Sequence, residues 1–455
     1  MRTNKPVIHQ AQTHEGGIAD PHQTPLEELR RAVSTCLLFE NTFYEIGNDL
    51  AVRIAGLCQQ VGNEEIAALA QQARTDLKLR HVPLFLCVQL ARKRWNRLAP
   101  VLTAVIQRPD ELAEFLSLYW QPKRQPLSKQ VKKGLALAFQ KFSAFQLAKW
   151  NRPDAVKLRD VLFMCHAKPK DQEQDATWKR LIAGTLDVPD TWEVALSGGA
   201  DKKATFERLL SEKKLGYMAL LMNVRNMSES GVQQELVERA LREGAKGSKA
   251  LPFRFIAAYK HAPQYAQALS DAMELAVEGI LPGTTALVVD VSGSMLEALS
   301  GKGETKRWEA AAGLTVLLRK LCASCRVFTY STSICEVPGL RGMGLVEVIK
   351  TSVGGGTNTA AALACVRQTC PELQRVILLT DEQSHDGIIP NWARYGYLIN
   401  VAPYKPGLET NRHGWARING WSDRIVDWMQ RHEEYSAGNA SDGEPAPTAS
   451  ARRDA

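Results

Sequence analysis

The apolar positions of this chain change rhythm once. Through residues 25–280 they recur at the three- and four-residue spacing of amphipathic helices. The runs are PLEELRRAVSTCLLFE (25–40), EEIAALAQQAR (64–74), VPLFLCVQLARKRW (82–95), PDELAEFLSLYW (109–120) and KKGLALAFQKFSAFQLAKW (132–150), followed by KLRDVLFMCH (157–166), ATFERLLSEKKLGYMALLMNVRNM (204–227), GVQQELVERALRE (231–243) and YAQALSDAMELAVEGI (265–280). Short polar or proline-bearing connectors separate them, at Arg108-Pro109, Gln121-Pro122 and Arg152-Pro153. Many short helices with brief connectors predict antiparallel pairs stacked side by side, an irregular α-solenoid of HEAT-like character.

At Leu281-Pro282-Gly283 the period shortens. TALVVDV (285–291), RVFTYS (326–331), RVILLTD (375–381) and YLINVAP (397–403) are short β-rich apolar runs. Helical segments alternate with them, at 306–323, 345–351, 359–368 and 421–431. Alternating strands and helices predict a parallel sheet covered on both faces, a doubly wound α/β fold. The expected organisation is therefore a flexible leader over 1–24, an all-α repeat domain over 25–282, an α/β domain over 283–431 and a disordered tail over 432–455.

Composition narrows the class. No apolar stretch is long enough to span a bilayer, and the polar N-terminus lacks the apolar core of a secretory signal, so the expected location is cytoplasmic, without a membrane partner. Nine scattered cysteines fit free thiols rather than a disulfide framework. Cys322 and Cys325 form one CxxC, expected inside a helical run as core packing rather than a zinc or redox site. The net charge of +8 is unevenly spread. Between Arg74 and Arg180 there are 22 Lys and Arg against 9 Asp and Glu, an excess of +13 that leaves −5 elsewhere. A basic excess of that size in one helical segment points to an anionic partner such as nucleic acid.

The chemistry-bearing motif of the second half is Asp290-Val291-Ser292-Gly293-Ser294, immediately after a buried strand. Two further loops fall at strand or helix edges, Gly354-Gly355-Gly356-Thr357-Asn358-Thr359 and Thr380-Asp381-Glu382. In an open parallel sheet, ligands bind at the carboxyl ends of the strands. These loops offer carboxylates and hydroxyls with no Cys or His, an all-oxygen set suited to Mg²⁺, Mn²⁺ or Ca²⁺ rather than zinc. Enzyme motifs do not fit. Ser292 stands where a DxDxT phosphotransferase needs its second Asp, no GxxxxGK[ST] loop occurs, and the serines lie outside a GxSxG elbow. With DxSGS, GGT and TD in this order, residues 284–431 resemble the von Willebrand factor A domain. Its metal-ion-dependent adhesion site implies coordination by Asp290, Ser292, Ser294, Thr357 and Asp381, with Asp290 and Asp381 acting partly through waters.

In the helical half the segment KWNRPDAVKLRDVLFMCHAKP (149–169) gathers Lys149, Arg152, Lys157, Arg159, His166 and Lys168 beside Trp150. Cations near helix ends can hold phosphates, and His can bond a base or a phosphate. Joined to an A domain, this segment together with GLALAFQKFSAFQLAKW, LPFRFIAAYK (251–260) and NGWSDRIVDW resembles the TROVE-module family, in which the Ro ribonucleoprotein autoantigen of animals and similar bacterial proteins stand. The resemblance covers about residues 25–431, with DVSGS here where the animal proteins have DVSAS. It implies HEAT-like repeats closed into a ring by the A domain. It also implies binding of Y-like small noncoding RNA on a basic outer surface, and of single-stranded 3′ ends of misfolded RNA in the central hole. Lys149 and His166 match family positions that contact the Y RNA. Arg159, Lys168, Lys129 and Lys133 follow as supporting phosphate contacts from charge and proximity.

The expected function is that of a monomeric RNA-binding scaffold for RNA quality control or decay, without catalysis, with an exoribonuclease as a partner suggested by the bacterial relatives. The alternative is a metal-dependent protein-interaction module. A metal-dependent hydrolase is the third reading.

Overall fold

A computed structural model describes residues 24–35, 47–151, 156–248, 250–299, 304–402, 406–422 and 424–439. The chain forms two compact units. One consists of Met1–Leu50, Tyr217–Arg225 and Val237–Ala455, the other of Ala51–Gly216 and Asn226–Leu236. Compactness therefore does not follow the expected boundary at 282/283, because the helix Pro25–Ser34 contacts the strand Ala416–Asn419 and the helices Pro252–His261 and Ala266–Leu275 pack on the helices Arg307–Leu321 and Gly342–Thr351.

The second unit is all-helical and HEAT-like, and several of its helices begin where a side chain satisfies one of their first N–H groups. Ser128 caps Lys129–Phe139, Ser143 caps Ala144–Trp150 with Gln146 closing the box, and Asp171 caps Gln172–Ala183. The Ser143 cap is also why the apolar run 132–150 is two helices rather than one. The run 204–227 also divides, into Lys202–Ser211 and Tyr217–Glu229, the latter lying mostly in the other unit; here no side chain caps the second helix, and Lys213 is left-handed between the two. The helices Leu98–Val105 and Lys129–Phe139 approach closely at Gly134. A Cβ there would lie 3.0 Å from Leu102 Cβ and 3.1 Å from the Ala99 carbonyl, so any larger residue must push these neighbours apart. A buried carboxylate, Glu111, is held by Arg74 at 2.6 Å and by the backbone N–H groups of Gln107 and Arg108, which satisfies a charge that would otherwise be costly to bury.

The first unit is built on a six-stranded sheet. The strands are β1 (Leu281–Asp290), β2 (Cys322–Tyr330), β3 (Ile334–Val337), β4 (Arg375–Thr380), β5 (Tyr395–Asn400) and β6 (Ala416–Asn419), in the spatial order β3-β2-β1-β4-β5-β6. All pairings are parallel except the edge hairpin β2–β3. The inner strands are buried on both faces, with Ala286, Val288, Val376, Leu378 and Leu398 in one apolar cluster with Phe328 and Trp415. Helix Arg307–Leu321 packs against β1 and β2 and against the helices Pro252–His261 and Gly342–Thr351. The chain winds outward in opposite directions from β1 and β4. Their carboxyl ends thus flank the switch point where an open α/β sheet leaves a crevice.

Several expectations are corrected here. β3 and β6 have four residues each and lie at sheet edges, too short for an alternation to show. The helix expected over 306–323 ends at Leu321, which places Cys322 and Cys325 on β2 rather than in a helix. The tail expected from residue 432 is helical to Asn439, within Arg424–Asn439. Its Glu433 pairs with the buried Arg375 of β4. The leader to residue 23, the end of the run 25–40, Arg152 and residues 440–455 lie outside the described residues.

Candidate metal cradle and basic helical face

β1 delivers Asp290 to the end of the sheet, and the chain then turns through a single 3₁₀ segment, Gly293–Leu296. Backbone bonds lock this turn to the glycine loop. Gly354 N–H donates to the Val291 carbonyl at 2.7 Å and Gly293 N–H to the Gly355 carbonyl at 2.8 Å. Gly354 and Gly355 have φ of 143° and 86°, values that bulkier residues rarely adopt. The glycine loop is tied in turn to the loop after β4, where His385 N–H donates to the Thr357 carbonyl at 3.1 Å. Three loops from separate parts of the sequence are thereby held together at the switch point.

These ties converge the five expected ligands. Asp290, Ser292, Thr357 and Asp381 are at most 1% exposed and Ser294 is 7% exposed. Asp290 Oδ1 accepts the Ser292 N–H at 2.9 Å, and Oδ2 accepts the hydroxyls of Thr380 at 2.6 Å and Tyr330 at 3.3 Å. The Ser292 and Ser294 hydroxyl oxygens lie 3.3 Å apart. Burial, and then the charge of Asp381, push the Asp290 carboxyl up to about 7. Two carboxylates sharing a dry site repel, and a cation between them relieves both effects. Among the described residues the Thr357 hydroxyl oxygen, fully buried, has no hydrogen-bond partner, unusual for a buried hydroxyl. An oxygen-preferring divalent cation would give it one, so the residues fit such an ion. Among the described residues no group of three or more His, Cys, Asp or Glu side chains gathers into a metal-binding cluster. The cradle is instead rich in hydroxyls, a donor set for a hard ion. His385 is exposed, with Nδ1 3.3 Å from the Thr357 carbonyl oxygen.

Sequence reasoning missed the cations and hydroxyls around this cradle. Arg307 Nη1 lies 3.0 Å from Asp381 Oδ2 and donates to the Ser294 carbonyl at 3.1 Å. Tyr330 and Thr380 end the strands flanking β1 and so reach Asp290. Glu382, buried in a left-handed conformation, is gripped from two sides. Arg31 of the leading helix Pro25–Ser34 takes one oxygen, and Arg417 of β6 takes the other at 3.2 Å. The neighbouring residues Asp381 and Glu382 thus face the cradle and the leading helix respectively. The only sequence signal for these contacts was the position of charged or hydroxyl residues at element ends.

The expected RNA-binding residues fall on two helix packings. Lys129 and Lys133, one turn apart, are exposed on Lys129–Phe139, which packs against Leu158–Cys165. Arg159 is exposed on that second helix, His166 caps it with φ 53° and is exposed, and Lys168 follows, also exposed. Lys149 is half-buried in the last turn of Ala144–Trp150, which packs against Gln172–Ala183. Its ammonium is 5.7 Å from the Trp150 ring centroid, and the Arg108 guanidinium stacks on that ring at 3.7 Å. Gln140 joins the two packings, donating to the Lys168 carbonyl at 2.8 Å and accepting from Gln174 at 2.9 Å. Phe163 is exposed on the same helix as Arg159. The sequence disguised it, because an aromatic in LRDVLFMC reads as core.

Comparison with known proteins bears out the expected fold and family resemblance. Residues 173–262 match the family model described as TROVE domain. The crystal structure of the Ro (RSR) protein of Deinococcus radiodurans superposes with a TM-score of 0.55 at 16% identity, over 89% of this chain and 98% of that one. The shared fold is HEAT-like helices with a von Willebrand factor A type domain. A search of curated proteins finds no match.

Proposed function

Because this chain carries a TROVE domain on the fold of a Ro protein, we propose that it is an RNA-binding ribonucleoprotein scaffold. In this reading it acts in the cytoplasm without catalysis of its own, on a Y-like small noncoding RNA and on the 3′ ends of misfolded RNA, and it can hand RNA to an exoribonuclease. The observation that carries the reading is a set of exposed cations on two packed helices: Lys129 and Lys133 on one, Arg159 and the capping His166 on the other, with Lys168 following it and Phe163 exposed on that second helix. Exposed cations suit a phosphate backbone, and an exposed aromatic suits an unstacked base. Gel shifts with a hairpin RNA bearing a single-stranded 3′ end test it. Binding should be tight at low salt and weaker by about tenfold or more on substituting Lys149 and His166. RNA incubated with Mg²⁺ and excess protein should stay intact, and cleavage abolished by Asp290→Ala would restore the hydrolase reading.

A second reading concerns the α/β domain. The unpartnered Thr357 hydroxyl and the paired carboxylates favour a bound Mg²⁺ or Mn²⁺ held by Asp290, Ser292, Ser294, Thr357 and Asp381. Such an ion would supply an open position for an acidic group of a protein partner. Pull-downs after nuclease treatment, with and without EDTA, separate the two readings. A partner lost on chelation belongs to the metal, and a partner lost with nuclease belongs to the RNA.

A further inference from the structure

Arg307 opens the helix Arg307–Leu321 and is buried to within 1% of complete. Its place is fixed from both ends. The backbone N–H donates to the Glu297 carbonyl at 3.0 Å, while the guanidinium reaches the Ser294 carbonyl and the Asp381 carboxylate. It therefore links two of the three loops that carry the five oxygen donors. A guanidinium stays charged at any pH a folded protein meets, and it cannot be a ligand to a metal ion. Among the described residues the cradle thus sets one fixed positive charge beside its two carboxyl groups.

Affinity of an oxygen site for a divalent ion rises with the number of anionic ligands. A fixed cation within the same buried cradle works against it, and burial strengthens that repulsion over its value in water. We propose that Arg307 is a resident cation that sets the metal affinity of this site, holding it below what Asp290 and Asp381 would otherwise reach. This inference rests on the metal reading given above. The opposite role is also physically well defined. If Arg307 served only to orient Asp381, its loss would loosen the ligand and weaken the ion.

The sign of the effect decides between the two. Full-length protein is titrated with Mn²⁺, and free Mn²⁺ is read by electron paramagnetic resonance. Neutral Arg307→Met and Arg307→Gln should bind Mn²⁺ about tenfold or more tightly than the native chain, while charge-retaining Arg307→Lys should stay within about threefold of it. Native-like or weaker binding by the neutral variants, with the native chain binding Mn²⁺ and Asp290→Ala losing it, overturns the inference and leaves the metal reading standing. Absence of binding by every protein removes the metal reading and this inference with it. Should the neutral variants fail to fold, the native protein provides a second readout. The Arg307 side-chain N–H resonance, assigned by its loss in Arg307→Lys, should shift on Mg²⁺ addition. An unmoved resonance in Mg²⁺-loaded protein overturns the inference.

Discussion

At the residue scale, the buried polar groups of the cradle make separable demands. The Thr357 hydroxyl has no partner among the described residues, so removing it should not disturb the fold. Thr357→Val is expected to change unfolding free energy by no more than about 1 kcal/mol, while weakening Mn²⁺ binding by about tenfold or more. Denaturation and Mn²⁺ titration of the same variant check both halves. Unchanged affinity would take Thr357 out of the ligand set. Glu382 makes the contrary demand. Its charge is fully buried between Arg31 and Arg417. Arg31→Met removes one of the two partners and should cost about 3–5 kcal/mol. A double-mutant cycle with Glu382→Gln should recover part of that loss, because the stranded charge goes with it. Additive losses in urea unfolding would show that the pair is not coupled. The proposed ligands were legible from residue types in a fixed order. Arg307 and Arg31 were not, because a charged residue near a helix end usually faces solvent, and only the tertiary fold turns these two inward.

At the scale of elements, the long strands and the amphipathic helices could be read directly, since burial on two faces or one imposes a period on the sequence. β3 and β6 escaped because four residues carry hardly two alternations. Merged runs such as 132–150 hid a capping box at Ser143, where the helical period continues although the backbone breaks. The end of the last helix was missed for a related reason. His432 and Glu433 look like the start of a polar tail, but Glu433 answers the buried Arg375 and holds the helix on the sheet. Close packing at Gly134 gives the element-scale test. Gly134→Ala forces a methyl against Leu102 and the Ala99 carbonyl. It should destabilise the helical unit by about 1–3 kcal/mol even though alanine favours helices. A thermal melt with a raised midpoint would contradict that packing.

For the whole molecule, sequence gave the two classes of structure but not their partition. The segments Met1–Leu50, Tyr217–Arg225 and Val237–Leu275 are helical where described, yet they belong to the unit that contains the sheet. Contacts between distant segments, such as Arg31 with Glu382, leave no local periodicity to read. Among the described residues no helix is long and apolar enough to cross a membrane. The basic excess between Arg74 and Arg180 was visible as a count, and the structure distributes part of it over packed helices with exposed Lys129, Lys133, Arg159 and Lys168. RNA held by about four to six such phosphate contacts should give a slope of about −3 to −5 for log affinity against log salt. Lys133→Ala should reduce the steepness by about one unit at unchanged fold.

The most direct measurement is a gel shift of the full-length chain with a structured hairpin RNA carrying a single-stranded 3′ end, comparing the native protein with Lys149→Ala/His166→Ala. Salt-sensitive binding by the native chain is expected, with affinity lower by about tenfold or more in the double variant at an unchanged melting temperature. Equal affinity of a folded double variant, or no salt-dependent binding by the native chain, would contradict the assignment of RNA recognition to this face.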